Sequence, residues 1–164
     1  MVKPQIALLV QELEGLKHAA EYLSFSLERC QTFLDTATQN SPEALERLES
    51  LTSRFARLAD LLTQRIFRLI DDIELVGSST LLDRIYRAEK RGWLDATQMI
   101  EIRELRNLIA HEYANDKMPE IFSAVAALSP PLLAIVPKVT HHAQDLINNY
   151  PAKWFKNTNH SLHF

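Results

Sequence analysis

Apolar residues recur along the first thirty positions with the spacing of a long amphipathic helix. From Ile6 onward they fall alternately three and four residues apart, which is the pattern of a heptad seam. The seam positions are Ile6, Leu9, Leu13, Leu16, Ala20, Leu23, Leu27, Cys30 and Leu34. The sequence therefore predicts a first helix that packs along one stripe, with Cys30 as a small core residue.

A second long helix is predicted after Asn40, where Ser41 supplies a capping hydroxyl and Pro42 occupies the first helical position. Its apolar positions cover a wide arc, which favours packing against more than one neighbour. They include Leu45, Leu48, Leu51, Phe55, Leu58, Leu61, Leu62, Ile66, Leu69, Ile73 and Val76. The small and polar residues at 77–80 are expected to end this helix and to cap the next.

Shorter helical stretches follow in the second half of the chain. Residues 81 to about 91 predict a helix that ends near Gly92, and Asp95 is placed to cap the next one. Residues 120–128 again have helical spacing, and we expect Ser129-Pro130-Pro131 to interrupt them before a last helix that Pro137 kinks. No segment alternates like a strand, so the prediction is an all-α, up-and-down bundle of four or five helices.

Length and composition narrow the class of protein. A chain of 164 residues is expected to form one domain over residues 1–150, with an irregular tail at 151–164. Three dispersed glycines and one cysteine exclude a phosphate-binding glycine loop, a dinucleotide fold and a disulfide framework. The start lacks a signal peptide pattern and no apolar run reaches membrane-spanning length, so we expect a cytoplasmic protein without a membrane association.

Polar chemistry concentrates on the helix that follows Asp95. At about 100° per residue, Ile102, Leu105, Leu108 and Ile109 form one apolar side of this helix. Polar groups occupy the opposite side, where Arg106 and Tyr113 share one stripe and Asn107 and His111 share another. Arg106 and His111 lie about 140° apart, too far for one helix to grip a single phosphate, which hints at a site shared by two copies.

These residue types suit the cleavage of RNA without a metal. A ribose 2'-OH attacks its own phosphate, an imidazole such as His111 moves the proton, and a guanidinium such as Arg106 neutralises the developing charge. Imidazoles titrate near neutral pH, and the planar arginine fork matches phosphate oxygens. Asn107, one turn before His111, is placed to orient the imidazole. The net charge of −3 then predicts positive potential confined to a cleft near Arg106.

The segment Arg106-Asn107-Leu108-Ile109-Ala110-His111-Glu112-Tyr113 resembles the R-x4-H-x-Y motif of the HEPN superfamily. More narrowly it resembles the HepT toxins, which are encoded beside a minimal nucleotidyltransferase antitoxin, MntA. The stretch from Arg84 to Leu94 is also similar to the segment that precedes this motif in the family. The similarity extends over residues 81–116 and is architectural elsewhere.

This resemblance implies a HEPN-like helical domain that forms a homodimer, or a higher oligomer, with two motifs meeting in a cleft. It implies an endoribonuclease toxin of a toxin-antitoxin system in which Arg106 and His111 are catalytic and no cofactor is needed. It also implies silencing by the antitoxin, which transfers AMP to the motif tyrosine, here Tyr113. An anionic AMP group beside Arg106 would block an RNA phosphate by charge and by bulk.

Position 108 is often basic in HepT-like motifs and is leucine here, so other basic residues are candidates for holding RNA. They are Arg84, Arg87, Lys90, Arg91 and Arg103. A further set lies on the second helix at Arg54, Arg57, Arg65 and Arg68, where the spacing fits a solvated face better than an RNA track.

Two short histidine patterns are candidates for metal sites. His141-His142-x-x-Asp145 and His160-x-x-His163 each lack convergent further ligands, so we predict no metal site. The alternative to a ribonuclease is a non-catalytic helical partner, such as the substrate-binding subunit of a nucleotidyltransferase. The heptad seam and the mildly acidic charge suit that alternative equally well.

Overall fold

The computed structural model describes residues 2–33, 41–111 and 117–158, and within these ranges the chain is an all-α bundle of five helices without strands. Helix α1 spans Val2–Cys30 and is followed by a 3₁₀ turn at Gln31–Phe33. Helix α2 comprises Pro42–Asp60, a π-helical segment Leu61–Ile66, and Phe67–Ile73. Helices α3, α4 and α5 span Leu81–Lys90, Ala96–His111 and Met118–Thr158. The predicted fold class is confirmed.

Helices α1 and α2 lie antiparallel, with Glu12 near Arg65 at one end and Cys30 near Arg47 at the other, and both pack against α5. Leu9, Leu16, Leu23 and Cys30 are fully buried, so the stripe runs the length of α1. The Cys30 thiol donates to the carbonyl of Arg47 at 3.3 Å. Burial raises the pKa of this thiol, which keeps it protonated and fits its predicted place in the core.

The helix starts follow from capping side chains. Ser41 accepts a hydrogen bond from a main-chain N–H in the first turn of α2 at 3.1 Å. At the start of α3, the Thr80 hydroxyl and the Asp83 carboxylate each accept from the other residue's main-chain N–H, which makes a capping box. Asp95 caps α4 at 3.0 Å, and Gly92 at φ +79° ends the preceding turn. The predicted boundaries at these residues are confirmed.

The π-helical segment in α2 has no counterpart in the sequence prediction. It begins directly after Asp60 and covers Leu61–Ile66, with Leu62, Thr63 and Ile66 buried. The Thr63 hydroxyl donates to the main-chain carbonyl four residues earlier at 2.8 Å. A π turn accommodates one extra residue. The side chains beyond it are therefore rotated by about 100° from the positions that an unbroken α-helix would give them.

The predicted interruption at Ser129-Pro130-Pro131 is wrong, because α5 is one continuous helix through these residues. Ser129 is fully buried and donates to the carbonyl of Val125 at 2.6 Å, and Leu132 continues the buried face on the far side of the prolines. Pro130 is exposed and Pro131 is half-buried, so the rings do not disturb the packed side. Core contacts on both sides outweigh the missing main-chain donors.

Helix α5 packs against α1, α2 and α4. Its stretch Met118–Tyr150 is long and apolar enough to cross a membrane, and a third of its most apolar window is buried inside the bundle. This partial burial is compatible with a soluble protein. The helix continues to Thr158, into the segment for which the sequence suggested an irregular tail.

Candidate functional site

Helix α4 carries most of the predicted site and is held by its apolar side. Met99, Ile102 and Leu105 are buried, and Leu108 and Ile109 are partly buried against the core. This matches the face derived from the helical spacing. The polar residues of the helix are consequently turned toward α1 and α2 or toward solvent.

Arg106 and Arg103 both reach across to Asp60 at the end of the first part of α2. Arg106 donates from Nε to Asp60 Oδ1 at 2.8 Å and from Nη2 to Asp60 Oδ2 at 2.7 Å. Arg103 donates from Nη1 to Asp60 Oδ1 at 2.8 Å. One carboxylate therefore orients two guanidinium groups, and we call these three residues the Asp60 network.

The bidentate pairing fixes both the charge and the orientation of Arg106. Hydrogen bonding to Asp60 raises the pKa of Arg106 further above its ordinary value, against a smaller effect of burial, so the side chain stays cationic. Asp60 takes the Nε and Nη2 edge of the fork, while Nη1 lies 3.5 Å from Asn107 Oδ1 at the exposed side. A guanidinium has five donors, so the end bearing Nη1 still has N–H groups for an anionic ligand.

The Asp60 network borders an open groove of about 920 Å³ between α1, α2 and α4. Its described lining includes the cationic side chains of Arg57, Arg65, Arg103 and Arg106 and the carboxylates of Glu12 and Asp60. His18 and Tyr22 form part of the α1 wall. Within the part of the chain that the structure describes, the groove thus has two more positive than negative side chains, in a protein of net charge −3.

His111 and Asn107 lie on a different side of α4 from the groove. Both are exposed, and neither belongs to the described lining of the groove. Arg106, by contrast, is half-buried in its wall. Within one copy of the chain, the two predicted catalytic residues are therefore not brought together, as their spacing on the helix suggested. Tyr113, the predicted modification site, lies outside the described residues.

The other basic candidates of α3 are placed away from the groove. Arg84 donates to the carbonyl of Thr63 at 2.8 Å, and Lys90 is exposed. Arg87 and Arg91 both pair with the buried carboxylate of Asp71.

These last pairings belong to a second set of charges, which we call the Asp71 network. Its members are Asp71, Glu74, Arg87, Arg91 and His142. Arg91 also pairs with Glu74, and its guanidinium lies 4.8 Å from the Trp93 ring centroid. His142 of α5 contacts both Glu74 and the edge of Trp93, with ring centroids 5.0 Å apart. The guanidinium groups of Arg87 and Arg91 are thus used within the fold, at the junction of α2, α3 and α5.

The arginines of α2 do not form a uniform solvated face. Arg57, Arg65 and Arg68 are exposed, but Arg54 is half-buried and donates to the carbonyl of Tyr22 at 3.1 Å. Arg65 pairs loosely with Glu12 at 3.6 Å. The prediction of a solvated face is therefore wrong for Arg54, which is bound to α1.

Metal-binding groups do not cluster in the described residues, where no three histidine, cysteine, aspartate or glutamate side chains come together. His141 lies 3.6 Å from Asp145 on the exposed side of α5. His142 points the other way and belongs to the Asp71 network. The pattern His160-x-x-His163 lies outside the described residues.

Sequence reasoning missed Asp60, the residue that organises the site. It lies 46 positions before Arg106 and on a different helix. A usable signal was its placement on the same side of α2 as Arg57, three residues away and one helical turn apart. His18 and Tyr22 were missed because only the packing of α1 against α2 brings them to the groove.

No family model, curated protein or solved structure matches the chain.

Proposed function

We propose that this protein is a metal-independent endoribonuclease, a HepT-like toxin of a toxin-antitoxin system. The observation that carries the proposal is the position of Arg106, on the motif helix and in the wall of a groove rich in arginine. A phosphate-bearing polymer is the ligand that such a groove suits best, because bidentate guanidinium groups match phosphate oxygens. The motif then supplies the residues for cleaving it.

In the proposed reaction the ribose 2'-OH gives its proton to an imidazole, His111, and its oxygen attacks the adjacent phosphorus. The bond from phosphorus to the 5'-oxygen breaks, that oxygen takes a proton from water, and His111 returns its own proton to water. The products are a 2',3'-cyclic phosphate and a 5'-OH end, and no further reactant is consumed. Arg106 neutralises the charge on the phosphorane, with donors oriented before the substrate arrives.

Asp60 acts in this scheme as a positioning residue. It holds the guanidinium groups of Arg103 and Arg106 in a fixed orientation without neutralising both of them. The phosphate would approach the Nη1 end of Arg106, next to Asn107. Preorganised charge of this kind stabilises a transition state without the cost of reorientation.

A second copy of the chain completes the proposed site. Arg106 faces the groove and His111 faces solvent on another side of α4, so one copy cannot place both on the same phosphate. Two α4 helices related by a two-fold axis would put the histidine of one copy near the arginine of the other. We therefore propose a homodimer that acts on RNA in the cytoplasm.

The proposed regulation is nucleotidylation of Tyr113 by an MntA-like nucleotidyltransferase antitoxin. The tyrosine oxygen would attack the α-phosphorus of ATP, form a bond to AMP and release pyrophosphate. The added phosphate is anionic and would compete with RNA for the guanidinium of Arg106. Modification thus removes activity without unfolding the protein.

The test compares the purified protein with Arg106→Ala and His111→Ala variants on a fluorescent RNA. We expect each variant to cleave at least 100-fold more slowly, because removing one preorganised donor or the proton carrier costs about that much. Arg68→Ala removes an exposed arginine from α2 outside the groove and serves as the matched control. The proposal fails if the wild type leaves RNA intact, or if His111→Ala cleaves at the same rate.

A non-catalytic partner of a nucleotidyltransferase is the second candidate function. The bidentate bond from Arg106 to Asp60 favours it, because a guanidinium bound within the fold is less available to a substrate. Expression in cells separates the two. Growth arrest that Arg106→Ala abolishes supports the toxin, whereas absence of any toxicity together with an unmodified Tyr113 after coexpression with a nucleotidyltransferase favours the non-catalytic partner.

A further inference from the structure

Exposed aromatic side chains follow one another along the edge of α1 that borders α2. His18, Tyr22 and Phe25 are spaced four and three residues apart, so they lie on one stripe. The rings of His18 and Tyr22 lie 6.2 Å apart, and about half of Tyr22 and of Phe25 is exposed to solvent. Large rings exposed in a row are unusual on a helix that already buries its apolar seam, which indicates a ligand surface.

Arginines cover one face of two of these rings. The guanidinium of Arg54 lies 5.5 Å from the Tyr22 centroid, and that of Arg29 lies 5.4 Å from the Phe25 centroid. Arg54 is fixed there by hydrogen bonds to the Ser26 hydroxyl at 2.6 Å and to the Tyr22 carbonyl. The stripe therefore alternates flat π surfaces with cations in set positions, and the exposed part of each ring remains open.

The stripe joins two depressions into one path. Tyr22 lines the groove of about 920 Å³ that contains Arg106, and Phe25 lines a second depression of about 430 Å³ between α1 and α2. The stacked pair of Tyr22 and Arg54 stands between them. From Glu12 to Arg29 this path is about 26 Å long at 1.5 Å per residue, enough for several nucleotides.

We infer that this path, the α1–α2 track, binds single-stranded RNA. It comprises His18, Tyr22, Phe25, Arg29, Arg54 and Arg57. Bases stack on the open ring faces, phosphates contact the arginines, and the strand leads into the groove at Arg106. The inference rests on the proposed ribonuclease function for the choice of RNA, and it adds where the substrate lies and that it is unpaired.

The alternation of ring and cation selects this ligand over others. Stacking needs bases that are not already stacked in a duplex, so a paired strand would use only the arginines. A protein partner would also use tyrosine and arginine, but it gains little from surplus positive charge along a path. The described lining of the groove has more arginine than carboxylate while the whole chain is acidic, which favours a polyanion.

The test measures binding of a fluorescently labelled ten-nucleotide uridine RNA by anisotropy, in a His111→Ala background that preserves the RNA. Tyr22→Leu and Phe25→Leu keep apolar bulk and helix propensity but remove the flat ring. We expect each to weaken binding about tenfold, the scale of one lost base stack. Tyr86→Leu, which removes a tyrosine of similar exposure from α3, should leave the affinity unchanged.

Salt dependence tests the phosphate contacts separately. For Arg57→Ala we expect the slope of log affinity against log salt to fall by about 0.7, as for one phosphate contact on a single strand. Arg68→Ala, an exposed arginine of the same helix outside the groove, should keep the wild-type slope. A double-stranded RNA of the same length should bind more weakly and should not respond to Tyr22→Leu.

The outcomes separate this inference from the proposed function. If the wild type binds and Tyr22→Leu and Phe25→Leu bind equally well, the track is wrong even where cleavage is normal. If these variants lose binding but the wild type does not cleave any RNA, the track stands and the ribonuclease proposal fails. If Tyr22→Leu changes the mass in solution and leaves RNA affinity intact, the stripe is an interface between copies and the inference is overturned.

Discussion

The Asp60 and Asp71 networks both join arginines to carboxylates, yet they differ in charge balance and in burial. In the Asp71 network, Arg87 and Arg91 meet the carboxylates of Asp71 and Glu74, and the Asp71 side chain is 4% exposed. In the Asp60 network two guanidinium groups share one carboxylate that is 34% exposed. The charges of the Asp71 network are balanced, whereas the Asp60 network leaves positive charge at the edge of an open groove.

The contrast shows how similar sequence features acquire different roles. From the sequence, the arginines of α3 and those of α4 were equally good candidates for binding RNA. In the structure Arg87 and Arg91 both meet the buried carboxylate of Asp71, where an unpaired charge would be very costly. The arginines of α4 meet too few carboxylates to be neutralised, so they retain the capacity to bind an anion. We therefore expect charge balance, more than the number of arginines, to separate structural positions from ligand-binding ones.

The largest effect that we expect is the loss of stability caused by Asp71→Asn. Both arginines would lose their shared buried carboxylate, so the free energy of unfolding should fall by roughly 3 kcal/mol. Urea denaturation monitored by circular dichroism measures this. Asp72→Asn changes the neighbouring exposed aspartate and should alter stability by less than about 0.5 kcal/mol. Equal losses for the two variants would contradict a structural role for the Asp71 network.

A second prediction compares the loss of one arginine from each network, at positions of similar burial. Arg91 and Arg103 have side chains that are 15% and 13% exposed. We expect Arg91→Ala to lower the free energy of unfolding by about 2 kcal/mol, through lost hydrogen bonds and the Trp93 contact, and to leave RNA affinity unchanged. Arg103→Ala should cost about 1 kcal/mol, because Asp60 keeps Arg106, and should weaken RNA binding. If Arg91→Ala weakened RNA binding and Arg103→Ala did not, the roles assigned to the two networks would be wrong.

The cap of α3 provides a smaller perturbation of the Asp71 network. Thr80→Ala removes the hydroxyl of the capping box and should lower the free energy of unfolding by about 1 kcal/mol, measured in urea. Because α3 and its C-cap residue supply Arg87 and Arg91 but no residue of the described groove lining, RNA affinity should not change. A large loss of RNA affinity in this variant would contradict the separation of the two networks.

The same cap predicts a dependence on pH. Hydrogen bonds from Thr80, chiefly from its main-chain N–H, lower the pKa of Asp83 below its ordinary value. A lowered folded-state pKa stabilises the protein above the unfolded-state pKa, and this stability is lost as pH falls through the folded value. The wild type should therefore exceed Asp83→Asn in stability at pH 5 and above, and the difference should narrow below about pH 4. A difference that is constant with pH would contradict this role of the carboxylate.

The smallest expected effect concerns Asp60 itself. Asp60→Asn keeps the shape of the side chain and removes one negative charge from the groove. At a separation of several ångströms through water this should strengthen RNA binding about threefold. Anisotropy at two salt concentrations measures it, and the gain should shrink at high salt. Weaker binding would show that orienting the arginines matters more than the net charge of the groove.

Periodicity predicted most of the fold because burial on one side of a helix leaves a direct trace in the sequence. The seam of α1, the apolar side of α4 and the caps at Thr80 and Asp95 all depend on residues within one helix or one turn. Pro130 misled the prediction because its local effect is opposed by core contacts of Ser129 and Leu132, which depend on the rest of the bundle.

The candidate site was predictable only in part for the same reason. Arg106 and His111 could be found because both lie on one helix, within six positions of each other. The partner of Arg106 could not, since Asp60 reaches it only through the docking of α2 on α4. Likewise, nothing in the spacing of Arg54 and Arg87 distinguishes one that stacks on Tyr22 from one that pairs with Asp71.

The π-helical segment at Leu61–Ile66 separates these two aspartates along α2. On a regular α-helix Asp60 and Asp71, eleven residues apart, would point within about 20° of each other. One extra residue taken up by the π turn rotates them to about 80° apart. Because of this rotation, one helix presents Asp60 to α4 and Asp71 to α3. A regular α-helix over the same number of residues would instead point both carboxylates to the same side of α2.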